Sequence, residues 1–268
     1  MLRKRIIFTL IYENGFFNQS RNFRLQKVGD IRWLERNYKF QDIAFSLDEL
    51  IVLNASKSDK GMAEFAKTLS ELVDDVFIPI AAGGGIRSLE DAEMLFANGA
   101  DKIVLNSALH IDKNLVEKLV EIYGSQSIVA SIDHKGHDVF ISDGTQKLNI
   151  CLDEYIQHIE DMNVGEIYLN SIEKDGTGFG YDIGLIEKVT GLISSPLIIA
   201  GGAGNERHLI EGLEIENVNA VATANLFNFI GDGLQYARGE LHKAGIDLAK
   251  WNVDMLPDLK YIFHGRDK

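Results

Sequence analysis

The chain has 268 residues, 46% of them hydrophobic and 25% charged, which suits one large core or two small ones, and its formal net charge is −13. That excess of acid excludes non-specific binding to nucleic acid, which needs a basic surface against phosphate. No apolar run approaches the roughly 20 residues that cross a bilayer, and no apolar segment ending in small residues opens the chain, so a cytoplasmic protein without a membrane partner is expected.

Short apolar runs alternate with helical patterns along the sequence, as in successive parallel βα units. Strands are expected at 5–11, 49–54, 77–82, 102–106, 127–133, 166–170, 197–200 and 220–223. Glu13-Asn14-Gly15 turns the chain after the first. A helix is expected over 32–42, with Trp33 and Leu34 inward and Arg32, Glu35 and Arg36 in solvent. Leu89, Ala92, Met94 and Leu95, and later Ile183, Ile186 and Val189, repeat with the 3.6 period of helices. Residues 137–150 read instead as a small hairpin with Asp143-Gly144 at its tip, inserted after strand five.

Eight such units over residues 1–245 predict an α/β fold of the (β/α)8 TIM-barrel type, with an open doubly wound sheet as the alternative. Residues 246–268 form a C-terminal extension of the same domain that either caps the barrel or mediates assembly. An internal echo favours closure. "PIAAGGGIRS" (79–88) resembles "PLIIAGGAGNER" (196–207), and Gly84 precedes Gly202 by the same offset that separates Asn106 from Ala224. Two half-barrels with matched features facing one another follow.

Residues just after a strand lie at the C-terminal face of such a barrel, where backbone N–H groups bind anions. Gly84 and Gly85 follow strand three, and Gly201 and Gly202 follow strand seven. Asn106 and Ser107, then Ala224 and Asn225, lie after the next strand in each half, and Asp175-Gly176-Thr177 follows strand six. Two phosphate cradles on opposite sides of one mouth are expected, for a phosphorylated ligand. The G-x-G-x-x-G spacing of dinucleotide sites is absent.

Cys151, the only cysteine, begins an apparent helix and reads as a buried structural thiol. His110, His134, His137 and His158 are scattered without metal-ligand spacing, so neither a metal nor another cofactor is expected.

The segments "KRII", Gly15, "NF" (22–23), "GGGI", "GADK", "GSQ", "SID", "GEI", "DGT", "GYD" and "GGAG" occur in that order. Over roughly residues 1 to 245 the chain thereby resembles HisF, the family of cyclase subunits of imidazole glycerol phosphate synthase. The resemblance implies a (β/α)8 barrel of the lyase class that receives ammonia from a HisH-like glutaminase docked at its bottom. The ammonia is used at the top on a bisphosphorylated substrate, with two carboxylates doing the acid–base work.

Asp133 matches the carboxylate of strand five, and Ile11 occupies the place of the other. Gln19 stands for a lysine near the substrate and Asn54 for an aspartate. Arg5, Glu49, Lys102 and Glu166 match an ammonia gate at the strand starts, and Asp101 matches a residue facing the glutaminase. Salt-bridged charges that merely close the barrel bottom are the structural alternative for the gate.

Isoleucine transfers no proton, so ordinary cyclisation is not expected of this site. The pattern resembles the HisF-like proteins of surface-polysaccharide gene clusters. There the barrel passes ammonia onward so that an ATP-dependent amidotransferase can convert an N-acetyl sugar to an acetamidino sugar. The alternatives are a cyclase of histidine biosynthesis, with Asp133 alone or Glu13 supplying the missing acid, and a phosphometabolite-binding module without catalysis.

Overall fold

The computed structural model describes residues 3–38, 43, 46–57 and 61–250. In chain order the elements begin with β1 (Arg5–Glu13), β2 (Phe16–Arg21), β3 (Arg24–Gly29), α1 (Ile31–Tyr38), β4 (Glu49–Asn54), α2 (Gly61–Asp75), β5 (Ile80–Gly83) and α3 (Leu89–Ala97). They continue with β6 (Lys102–Leu105), α4 (Ser107–Ile111), α5 (Lys113–Tyr123), β7 (Ile128–Lys135), β8 (Asp138–Ile141), β9 (Gln146–Cys151) and α6 (Leu152–Glu160). The series ends with β10 (Glu166–Ser171), α7 (Ile183–Thr190), β11 (Leu197–Ala200), α8 (Glu206–Glu214), β12 (Val218–Thr223) and α9 (Gly233–Lys243).

β10, β11, β12, β1, β4, β5, β6 and β7 pair in that order, all parallel, and β7 pairs with β10 to close the ring. The expected barrel is therefore formed, and the open sheet is not. Parallel strands covered by helices are apolar on both faces, which is why short continuous apolar runs marked them in the sequence. The helices are set by local signals as well. At α3 the Ser88 hydroxyl accepts from Asp91 N at 3.3 Å while the Asp91 carboxylate accepts from Ser88 N at 3.2 Å, a reciprocal cap.

Side chains alternate along each strand between two cores. One lies between strands and helices and includes Ile6, Phe8, Leu10, Leu50 and Ile103. The other fills the lumen with Ile7, Ile51, Val104, Val129, Tyr168 and Ile198, fitted beside Ala81, Ala200, Ala220 and Ala222. Tyr168 is the aromatic ring of that layer, and its hydroxyl lies 3.2 Å from Thr9 Oγ1.

Two antiparallel arms extend the barrel. The hairpin expected after strand five is β8–β9, and its tip Ser142, Asp143 and Gly144 all take positive φ. A second arm, β2–β3, continues β1 after the Asn14-Gly15 turn and was not expected from the sequence. The arms grow from the first and fifth strands of the ring, so the half-barrel echo extends to them.

Two sequence expectations change. The strand read at 77–82 begins only at Ile80, because Pro79 has no N–H for the ladder, and Phe77 is half-exposed. Cys151 is exposed, contrary to the buried thiol expected, because it ends β9, which pairs only with β8. The helix read at 32–42 is formed over Ile31–Tyr38, with Leu34 buried and Trp33 partly so; residues 39–42 lie outside the described residues.

The floor of the barrel repeats one device. Asp48 and Asp101 precede β4 and β6, Asn219 is the second residue of β12, and each accepts a backbone N–H from the first or second residue of a neighbouring strand: Ile6, Ile80 and Leu197, at 2.8, 2.8 and 3.0 Å. Asp48 also takes a two-pronged ion pair from buried Arg238 at 3.0 and 2.9 Å, and Arg238 Nη2 donates to Ala249 O at 2.6 Å. Leu248 bridges to Lys4 beside the start of β1, so residues 246–250 run along the floor. Residues 251–268 of the extension lie outside the described residues.

Candidate functional site

At the floor, Arg5, Glu49, Lys102 and Glu166 are the first residues of β1, β4, β6 and β10, and alternation turns all four toward the lumen axis. Arg5 Nη1 lies 2.7 Å from Glu49 and 3.0 Å from Glu166, and Lys102 Nζ lies 3.0 Å from Glu49 and 3.3 Å from Glu166. The ring is closed, alternating in sign and neutral in sum. Glu49 is its inner member: burial pushes its carboxyl upward, against the pull of Lys102 and Arg5. Burial also works against the Arg5 charge, but Glu166 and Glu49 outweigh it and raise its pKa. Asp101 is exposed beside the ring, with its carboxylate held by Ile80 N.

At the opposite mouth, Asp133 and Ile11 hold corresponding places where a barrel strand enters its arm. Asp133 pairs in register with Asn170 on one side and Phe140 of the arm on the other; Ile11 pairs with Leu53 and with Asn18 of its arm. Asp133 is buried, and its two oxygens accept from Asn170 Nδ2 and Asn106 Nδ2, each at 3.1 Å. Burial pushes its pKa up to about 7, with Asp143 and Asp175 adding and the two amides opposing. A carboxyl poised there exchanges protons near neutral pH. Ile11 is half-buried and places an alkyl group where the first half of the barrel would carry its counterpart. Glu13 lies further along, within the arm, paired with Phe16.

The two glycine loops follow β5 and β11, and each packs on a neighbouring stretch of backbone. Gly84 has φ 93°, and a Cβ there would lie 2.1 Å from Asn54 O; Gly85 has φ 77°, and a Cβ there would meet only Met62 Cε, at 3.9 Å. Across the mouth, a Cβ on Gly202 (φ 111°) would lie 2.1 Å from Gly180 O, and one on Gly201 (φ 88°) 2.6 Å from Ser171 O. Gly202→Ala is therefore expected to cost about 1–3 kcal/mol in backbone strain alone, plus the displacement of Gly180, whereas Gly85→Ala meets only the conformational cost of about 1–2 kcal/mol. Denaturant midpoints of the two variants check the order.

Several loop groups are already engaged. Asp175 N and Thr177 N close their own turn onto Ser171 O and Lys174 O, at 2.9 and 3.1 Å, so that loop does not present the run of donors expected of it. The Asp175 carboxylate instead clamps the first arm, accepting from Ser20 Oγ at 2.5 Å and Phe23 N at 3.0 Å, while Gly176 packs on Ser20 and Arg21. Gln19 Oε1 accepts from Leu226 N at 2.7 Å, joining the same arm to the Ala224-Asn225 loop. Asn225 Oδ1 caps Phe227 N and Asn228 N, at 3.1 and 3.0 Å, and Asn228 reaches Gly204 O at 2.8 Å. On the other side, Ser107 Oγ accepts from Ser142 N of the second arm at 3.1 Å, and Asn54 Oδ1 accepts from Ser56 N at 3.0 Å.

Asn170, Tyr168 and Thr9 were missed in the sequence. Only the period-2 register, which places Asn170 beside Asp133 and turns Tyr168 to the lumen, carried a signal for them. Among the described residues, no group of three or more His, Cys, Asp or Glu side chains is placed to hold a metal ion. No helix among them is long and apolar enough to cross a membrane.

Fold and site together define a closed (β/α)8 barrel with a charged ring at one end of its lumen and the buried Asp133 carboxyl at the other. Residues 25–231 match the family described as "Histidine biosynthesis protein". A relative from Parasynechococcus marenigrum, named "Putative imidazole glycerol phosphate synthase subunit hisF2", is 46% identical over 257 residues, covering 94% of this chain and 95% of its own. A protein of the same printed name from Pseudomonas aeruginosa is 35% identical, covering 86% and 93%. The "Imidazole glycerol phosphate synthase subunit HisF" of Pelodictyon phaeoclathratiforme is 34% identical, covering 92% and 98%. The chain belongs to the histidine biosynthesis protein family and is a HisF-like member of it. These names fit the cyclase subunit of histidine biosynthesis, given above as an alternative, better than the acetamidino-sugar role expected first, and none of them mentions a sugar.

Proposed function

We propose that this chain is the barrel subunit of a glutamine-dependent synthase of the imidazole glycerol phosphate synthase kind. A HisH-like glutaminase docks on the floor near Asp101, and its ammonia enters past Arg5, Glu49, Lys102 and Glu166. The observation that carries this reading is the placement of a closed ring of two basic and two acidic side chains and a near-neutral-pKa carboxyl at the two ends of one lumen. Ammonium would lose its hydration in the aliphatic lumen at high cost, so the species that crosses is neutral ammonia. Thr9 and Tyr168 give it one polar contact on the way.

At the mouth, ammonia meets a phosphorylated acceptor seated between the cradle of Gly84, Gly85, Asn106 and Ser107 and that of Gly176, Gly201, Gly202, Ala224 and Asn225. Asp133 takes up the proton released when the nitrogen attacks. The relatives' names support the histidine precursor as acceptor. Ile11 favours a second reading of the acceptor, in which the barrel delivers ammonia onward for acetamidino formation on an N-acetyl sugar by a separate ATP-dependent amidotransferase, a step that asks no second carboxyl of this mouth.

The two acceptors are separated by ammonium-dependent cyclisation of the bisphosphorylated ribulosyl precursor, with wild type and Ile11→Asp compared. The histidine reading requires turnover by wild type. The delivery reading expects none in wild type and a gain on Ile11→Asp, since a positioned proton-transfer group contributes ~10²–10⁴-fold.

A further inference from the structure

Asp133 is held more closely than a carboxyl on a strand end needs to be. Its register partner Asn170 donates to Oδ1 and Asn106, just past the end of the other neighbouring strand β6, donates to Oδ2, both at 3.1 Å. Each amide has a further neighbour. Asn106 Nδ2 also reaches Ser131 O at 3.1 Å, and Ser107 Oγ donates to Asn106 Oδ1 at 3.4 Å. Asn170 lies against Gly201, where a Cβ would stand 3.3 Å from Asn170 Oδ1. Among the described residues no cation is paired with Asp133. Asp143 faces it from the second arm and Asp175 from the loop after β10, both opposing its charge, and Tyr155 and Tyr168 lie within its field from α6 and β10.

We propose that Asn170 is a positioning residue: with Asn106 it forms a two-amide clamp that fixes the plane of the Asp133 carboxyl and keeps its anion accessible in a site that otherwise opposes charge. One donor on each oxygen leaves one lone pair on each, so a proton arriving at Asp133 lands on a lone pair that neither amide occupies. Amide donors stabilise the anion, so they act against burial and against the two aspartates. Without Asn170 the carboxyl would keep its proton to higher pH and turn freely about its remaining bond to Asn106. The inference rests on Asp133 being the proton-transfer group of the mouth and adds how that group is held there.

The test is a carbon-detected NMR titration of the Asp133 carboxyl in the full chain, wild type against Asn170→Ala. The expected result is a midpoint near neutrality in wild type and about one pH unit higher in the variant, a tenfold rise in proton affinity. In wild type alone, the Asn170 side-chain amide signals are expected to shift with the Asp133 midpoint, which needs no variant to fold. An unchanged midpoint in Asn170→Ala, or Asn170 amide signals that stay flat through the Asp133 titration, overturns the clamp. The functional reading fails separately: if ammonia-dependent turnover survives Asp133→Asn, Asp133 is not the proton-transfer group even where the clamp is found.

Discussion

Glu49→Ala is expected to lower the unfolding free energy by about 3–5 kcal/mol, the range for removing one partner of a buried ion pair. Glu49 touches both cations of the floor ring, and its side chain is 3% exposed, against 22% for Arg5, 18% for Lys102 and 14% for Glu166. Its removal leaves Arg5 and Lys102 facing one remaining carboxylate, with the ring one positive charge out of balance. Glu166→Ala changes the charge equally but opens a wetter position, so its loss is expected to be smaller. Urea unfolding of both variants decides between this account and a surface network, in which each change would cost less than about 1 kcal/mol.

Asp133→Asn is expected to act on activity and stability in opposite senses. Loss of the proton-transfer group is expected to reduce the ammonia-using step ~10²–10⁴-fold. The stability effect follows from the raised pKa. Unfolded, the carboxyl ionises near its ordinary 3.8; folded, near 7. Between those values the native state holds a proton that the unfolded state has released, so wild-type stability falls as pH rises through this window and levels off above about pH 7.

The penalty accumulates to roughly 4 kcal/mol and is missing in the variant. An asparagine also turns its NH2 toward one of the two amide donors, a cost that does not vary with pH. The variant is thus expected to gain roughly 4 kcal/mol relative to wild type between pH 4 and pH 8, read from thermal or denaturant curves at each pH. A difference that stays constant with pH would show that Asp133 is not buried as a proton-holding group.

The barrel was legible because its eight strands are buried on both faces and its helices are not, so the two patterns alternate. The first arm was not legible. Asn18, Gln19, Ser20, Arg21, Arg24, Gln26 and Lys27 give no apolar alternation, and the arm is held by Asp175, which is remote in sequence. The paired glycine loops were readable from the repeat, since Gly84 and Gly202 need both positive φ and contact with a neighbouring backbone. Which of their N–H groups are used within the protein was not, because turn closure at Asp175 and Thr177 and the reach of Gln19 depend on the folded loops. Family resemblance supplied the four ring residues and Asp133; their closed geometry and the raised pKa came from the structure. Asn170 needed the β7–β10 register to be seen at all.

The most direct test of the central claim is steady-state glutamine hydrolysis by the HisH-like protein encoded in the same genome, measured with and without this chain and with Lys102→Ala. The account predicts that the two proteins form a complex, that wild type stimulates hydrolysis, and that the ring variant alters the stimulation. No complex and no stimulation would contradict it and leave a barrel whose charged floor serves only to close the fold.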